Sequence, residues 1–239
     1  MERKPLQIDI QSEIGQLNAV LLHTPGAEVE NMTPKMAQRA LYSDILNLSI
    51  AQEEYKQLSG VLSKIANVYT VTDLLVKVLE NPVEREELVK KICVTENVME
   101  YYETLMEMSS VRLAKALIEG LPARINTLTS FLNEDYYALF PLYNFYFTRD
   151  AAVTIGNHAL ICKMANKVRM RESLIMQAIY KGSGEFACGI IDAYDHSPLN
   201  PNLFMEGGDI LIAREDVLLI GNGIRTSSQG IDFLASRLS

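Results

Sequence analysis

The chain has 239 residues, 48% of them hydrophobic and 22% charged, with 22 Lys+Arg against 30 Asp+Glu and a formal charge of −8. That length can bury a sizeable core in one large domain or two small ones, and the balance is that of a globular protein. The acidic charge argues against nucleic acid as a bulk partner, no apolar run reaches the ~18 residues of a membrane helix, and the opening MERKPLQIDIQSEIG lacks the apolar core of a secretory signal.

Cysteine is sparse: Cys93, Cys162 and Cys188, an odd number with no CxxC. A reducing, cytoplasmic setting is the default for such a chain. His23, His158 and His196 form no HxxxH or HxH pair, so no metal site is expected.

In chain order, Ala19–Leu22 reads as a short buried strand that ends at Pro25-Gly26. The stretch SIAQEEYKQLSGVLSKIA reads as a helix with residues 51, 55, 58, 62 and 65 on one face, and Ser49 with Gln52 fits a capping box. Val68–Val71 is the next strand. Residues 72–135 are rich in Leu, Glu, Lys and Met and are punctuated by Asn81-Pro82 and Gly120-Leu121-Pro122. They predict several short helices forming a lobe that interrupts a strand-and-helix pattern.

Beyond residue 139 strands return as an internal repeat. RDAAVTIGNHALIC carries Asp150, a strand, the turn Gly156-Asn157 and a second strand; GDILIAREDVLLIG carries Asp209, a strand, a turn at Arg214–Asp216 and a second strand. Each hairpin leads through an arginine-bearing loop to an amphipathic helix, near Arg171–Tyr180 and near Gln229–Leu238. The unit is ββα, and the step from Asp150 to Asp209 is its period. Such repeats suggest a pseudo-symmetric array with its loops gathered on one face. The divisions expected are 1–71, a helical insert at 72–135, and 136–239. A repeat that stops in mid-pattern is expected to be part of a longer one.

The candidate chemistry lies in the loops. Asp150 in NFYFTRD and Glu206 and Asp209 in MEGGD are carboxylates at strand mouths. Partly buried carboxylates need cationic partners, although capping a turn or pairing with Arg149 would serve as well. Gly207-Gly208 permits positive φ and close approach of backbone and ligand, or simply a tight turn. Arg169 follows Asp150 at the same interval along the chain as Arg225 follows Glu206. Arginine forks bind carboxylates, and Asn144 adds an amide that both donates and accepts. Two anionic and two cationic spots match a ligand with a flat, multi-donor cationic head and an anionic tail, such as free arginine.

The segments PLYNFYFTRD, FMEGGDILI, GNGIRTSSQGI and LLHTPGAEVE resemble those of the arginine deiminases, guanidine-modifying enzymes with a five-bladed α/β-propeller (pentein) fold. The resemblance runs through the whole chain, and the 72–135 helices are similar to the extra helical lobe of that family. It implies an α/β fold, an incomplete pentein-type propeller of ββα-like units. It implies hydrolysis of L-arginine to L-citrulline and ammonia without metal or organic cofactor. Asp150 and Glu206 would grip the guanidinium, and Arg169, Arg225 and Asn144 would receive the α-carboxylate end. Asp209 would orient the loop through backbone N–H groups, with a direct substrate contact as the alternative. His23 and Pro25-Gly26 would line the rim.

The family's nucleophilic cysteine and H-x-D histidine have no counterpart here: the stretch from Arg225 to Ser239 holds neither Cys nor His, and His196 has no H-x-D context. The expectation is an N-terminal portion, inactive alone, whose exposed strand edges would be covered by self-association or by a C-terminal segment. A non-catalytic arginine-binding or scaffold protein and another guanidino-substrate hydrolase or amidinotransferase remain as alternatives.

Overall fold

The computed structural model describes residues 4–30, 32, 45–128, 131, 136–194 and 200–238. They are mixed α/β, with sheets of two or three strands, none closed into a barrel. Two compact units emerge: Met1–Ala19 with Phe147–Ser239, and Val20–Tyr146. Among the described residues no helix is long and apolar enough to cross a membrane.

The chain opens with β1 (Leu6–Gln7). In the Val20–Tyr146 unit, β2 (Ala19–Leu22) lies where the apolar run places it and leads to α1 (Ala27–Glu30). The next helix, α2, is Leu48–Leu62, and its cap is Asn47 rather than Ser49. The Asn47 carboxamide oxygen accepts from the Ile50 N–H, while Gln52 donates to the Pro25 carbonyl at 2.9 Å instead of closing a capping box. No residue of α2 is fully buried, so its apolar face is only partly covered. The strand β3 (Asn67–Thr70) pairs with β2 and ends a residue early, because the Thr70 hydroxyl caps α3 (Val71–Glu80) by accepting from the Asp73 N–H at 3.1 Å.

The predicted helical lobe consists of α3, α4 (Pro82–Thr95), α5 (Tyr102–Met106) and α6 (Ser110–Glu119). Asn81 caps α4 with Pro82 in its first turn, and Ser109 caps α6. Leu74, Leu75, Val78 and Leu79 of α3 share the core with Leu88, Val89 and Ile92 of α4 and with Leu113 and Leu117 of α6. Each such side chain contributes about 1.5–3 kcal/mol by leaving water. The Arg85 guanidinium donates to the Met106 carbonyl at 2.7 Å and to that of Met108, satisfying the open end of α5. The short strands β4 (Leu121–Pro122) and β5 (Tyr137–Leu139) close this unit as an antiparallel pair.

In the other unit, α7 (Thr148–Ala151) feeds directly into β6 (Ala152–Ile155), which turns at Gly156-Asn157 into β7 (His158–Ile161). A 3₁₀ turn at Lys167–Arg169 enters α8 (Met170–Gly182), and β8 (Phe186–Ala187) and β9 (Gly189–Asp192) follow. β6 and β7 are antiparallel, β9 adds to β7 in parallel, and β1 pairs in parallel with β8. The consecutive residues Arg171–Ile179 of α8 are all buried, more than an amphipathic surface helix would bury. The second repeat is β10 (Ile210–Arg214), β11 (Val217–Ile220) and α9 (Ser228–Leu238), with a bulge between Ile212 and Arg214. Both ββα units are thus present, with helix bounds within a few residues of those expected.

Candidate active site

Asp150 sits on the single turn of α7, where the chain enters β6. The segment that carries Glu206 lies against it. Met205 donates its N–H to the Lys163 carbonyl at 2.9 Å, and Phe204 and Glu206 donate to the hydroxyls of Ser227 and Thr226. Gly207–Asp209 then forms a 3₁₀ turn. Neither Gly207 nor Gly208 uses positive φ. What matters is the missing Cβ: at Gly207 it would strike the Arg149 carbonyl, and at Gly208 the Asp150 carboxylate. The two glycines therefore bring the Asp150 and Glu206 loops into contact with each other.

The equal spacing of acids and arginines is realised as two ion pairs. Arg169 Nη1 donates to Asp150 Oδ2 at 2.8 Å, and Arg225 Nη1 donates to Glu206 Oε2 at 3.1 Å. Arg169 Nη1 also lies 3.6 Å from Glu206 Oε2, so it bridges the two predicted carboxylates. From below, Glu172 grips Arg169 with both oxygens, Nε at 3.1 Å and Nη2 at 2.7 Å. The Arg169 side chain is 2% exposed, that of Asp150 18% and that of Arg225 47%, so the cluster grades from a buried floor to an open rim.

The electrostatics follow from this burial. Burial pushes the Glu206 carboxyl above the usual carboxylate range; Arg169 and Arg225 pull it back only in part, and Asp150 adds to the rise. Glu172 is raised in the same way, by burial first, against Arg169. Burial alone would lower Arg169, but Glu172 and Asp150 outweigh it, and the guanidinium stays charged.

The Asp209 carboxylate is hydrogen-bonded by a hydroxyl. Its Oδ2 accepts from Thr226 Oγ1 at 2.6 Å, and the same Thr226 oxygen accepts from the Glu206 N–H at 3.2 Å. Arg149 pairs with neither Asp150 nor Glu206 but with Glu13, at 2.6 Å, and donates to the Ile210 carbonyl at 2.7 Å. Burial raises the Glu13 carboxyl, but the Ile212 N–H and Arg149 outweigh it and hold it below the usual range.

Asn144 and His23 belong to the Val20–Tyr146 unit, where both are buried. There His23 Nε2 is 3.1 Å from Glu28 Oε1, which also accepts from the Gly26 N–H at 2.7 Å, and the imidazole leans on Phe145. The Pro25-Gly26 turn is thus pinned by Glu28. His196 lies outside the described residues.

None of the three thiols is placed as a nucleophile. Cys162 is fully buried beside the cluster; burial, then Glu206 and Asp150, push its pKa up. Burial, with Glu96 and Glu100, puts Cys93 at about 11, and burial also raises Cys188. Sequence reasoning missed Glu172, Glu13 and Thr226. Only Glu172 had a local signal, its i,i+3 spacing from Arg169.

A family model described as arginine deiminase matches residues 38–239. The chain belongs to the arginine deiminase family. It is 34% identical over 250 residues to an arginine deiminase of Bacillus cereus (strain B4264), covering 97% of this chain and 59% of that protein. It is 33% identical to one from Treponema denticola and 34% identical to one from Pediococcus pentosaceus, covering 60% of each. The chain thus spans about three fifths of the length of these curated family members.

Proposed function

We propose that the cluster around Arg169 is the guanidinium-gripping part of an arginine deiminase site, serving L-arginine + H2O → L-citrulline + NH3 in a cytoplasmic protein without metal or organic cofactor. The observation that carries this reading is the pairing of Asp150 and Glu206 across one buried arginine. Two carboxylates fixed in this way offer acceptors for the N–H fork of a guanidinium. Of the two arginines assigned to the substrate's α-carboxylate, Arg225 is the open one. Arg169 is already engaged by Asp150 and Glu172 and serves first to hold the acids. Asp209 and Thr226 fix the Glu206 backbone. The family's fold, a five-bladed propeller interrupted by the helices of 72–135, is proposed with the function.

Calorimetric titration tests the reading. The 239-residue chain should bind L-arginine, and Asp150→Ala should abolish the heat. Arg225→Ala should weaken arginine about tenfold or more, the worth of one charge-assisted contact, and weaken agmatine, which has no carboxylate, by less, since only the support Arg225 gives Glu206 is then lost. Absence of heat with the wild-type chain would remove the reading. Since no thiol is placed to attack the guanidinium carbon, the chain alone should release no citrulline above background.

The raised Glu206 carboxyl also sets a pH dependence. A guanidinium binds the ionised form, so affinity should fall as pH drops through the Glu206 pKa, beginning above the ~4.3 of a free glutamate. The slope would approach tenfold per pH unit, and an affinity flat down to about pH 4.5 would contradict it. The stability term has the opposite sense. A carboxyl raised in the folded state contributes stability that is present below its unfolded pKa and lost as pH rises through the folded one.

A further inference from the structure

Asp150 and Glu206 reach the cluster on different segments of the chain, so their spacing depends on what ties those segments together. Arg149 does so twice. Its backbone directly precedes Asp150 in α7, and its carbonyl stands where a Cβ on Gly207 would lie. Its side chain spans the turn that follows Glu206. Nε donates to the Gly207 carbonyl at 3.3 Å and Nη2 to the Ile210 carbonyl at 2.7 Å, so one guanidinium holds the Gly207–Asp209 turn from end to end.

That guanidinium is itself held by Glu13, which faces it with both oxygens: Oε1 is 2.6 Å from Nη2 and Oε2 is 3.3 Å from Nη1. Glu13 is fixed in turn on β10. Its N–H donates to the Ile212 carbonyl and its Oε1 accepts the Ile212 N–H, both at 2.9 Å. The segment that delivers Glu13 is anchored on the first ββα unit, through β1 on β8 and through paired Ile10–Gly156 hydrogen bonds of 2.8 Å. It thus runs from the first unit to the second and meets there the residue next to Asp150. Stability does not explain this arrangement. The Arg149 and Glu13 side chains are 42% and 34% exposed, and ion pairs so open to water contribute little. What a bidentate arginine–carboxylate pair does supply is orientation, since two parallel bonds leave the guanidinium little freedom to turn.

We infer that Glu13 is a positioning residue for the proposed guanidinium site: acting through Arg149, it sets the spacing of Asp150 and Glu206. The inference rests on the reading of those two acids as the acceptors of a guanidinium. In Glu13→Gln the amide oxygen can still accept the Ile212 N–H, but the negative charge facing Arg149 is gone. The Arg149 guanidinium can then leave the Gly207 and Ile210 carbonyls for water, and the Glu206 loop loses its tie to the Asp150 loop. A displacement of that kind acts on the guanidinium end of any ligand, with or without a carboxylate.

The test is calorimetric titration of the 239-residue chain and of Glu13→Gln with L-arginine and with agmatine, alongside amide hydrogen exchange. Glu13→Gln should melt within about 4 °C of the wild type. It should weaken both ligands by the same factor, about tenfold or more, whereas Arg225→Ala weakens arginine more than agmatine. Glu13→Gln combined with Arg149→Met should bind no worse than Arg149→Met alone, because the one acts through the other. The Asp209 and Ile210 amides of Glu13→Gln should exchange about tenfold faster, while that of Ile212 changes little. Unchanged affinity in Glu13→Gln, a loss confined to arginine, additive losses in the double variant, or faster exchange confined to Ile212 would each overturn the inference. Should Arg149→Met fail to fold, the equal loss for the two ligands decides. If the wild-type chain gave no heat with arginine, the reading of the site would fall. The exchange of Asp209 and Ile210, which needs no ligand, would still decide whether Glu13 holds the two loops.

Discussion

Arg169→Met is expected to lower the melting temperature of the chain by on the order of 10 °C at neutral pH. The substitution keeps much of the buried aliphatic length but removes the charge that Asp150, Glu172 and Glu206 surround. Breaking a buried ion pair by deleting one partner costs about 3–5 kcal/mol, because the other is left charged and desolvated. For a domain of this size about 1 kcal/mol moves the midpoint by ~2–4 °C. The cause has its own signature. Orphaned carboxylates can take up protons, so the deficit should shrink as pH falls toward the carboxylate range. In the linkage relation the folded variant binds more protons than the unfolded chain in that window, so its stability rises as pH drops. Thermal melts of both proteins between about pH 7.5 and pH 4.5 check this. A deficit of equal size at every pH would mean lost packing, and the charge account would fail.

The same cluster shows what could and could not be read from the sequence. Asp150, Arg169, Glu206 and Arg225 were visible because acids and arginines recur at one spacing beside strands with clear turn signals. The fold turned that spacing into two contacts of 2.8 and 3.1 Å. Glu172 was not visible as a site residue. In MRESLIMQ it looks like any acid in the first turn of a helix, where it favours the dipole anyway. Only the burial of α8 shows that this glutamate points inward. Glu13 had no local signal at all: its partner Arg149 lies far along the chain, and long-range pairing leaves no trace in spacing.

The hairpins and helices of the repeats were legible for a different reason. Short apolar runs bounded by turns at Gly156-Asn157 and Arg214–Asp216 leave few alternatives. Errors gathered where two local rules compete. Ser49 and Asn47 both suit a helix start, and the carboxamide took the free N–H groups. Thr70 could continue a strand or cap a helix, and it caps. The helix at 48–62 had the right periodicity, yet periodicity reports which face is apolar, not whether anything covers it.

Gly207→Ala should unfold the chain or destabilise it by about 3 kcal/mol or more, at the upper end of what overpacking costs. The added Cβ would meet the Arg149 carbonyl, and Val153 Cβ stands only 2.9 Å away. A backbone oxygen of α7 cannot turn aside as a side chain can, so α7 or the Gly207–Asp209 turn must move. Gly208→Ala separates structure from site. Its Cβ would meet Asp150 Oδ1, the end of a side chain, and Gly208 itself is exposed. The carboxylate can rotate away at modest cost, but it then leaves Arg169 and the position proposed for the guanidinium. Gly208→Ala should therefore stay folded by circular dichroism and lose most of its arginine affinity. Gly223→Ala, with open space around its Cβ and no positive φ, should be neutral or stabilising by up to about 1 kcal/mol. If Gly207→Ala melted within a degree or two of the Gly223→Ala control, close packing of the two loops would not be what the paired glycines provide. If Gly208→Ala bound arginine as the wild type does, Asp150 would not be gripping it.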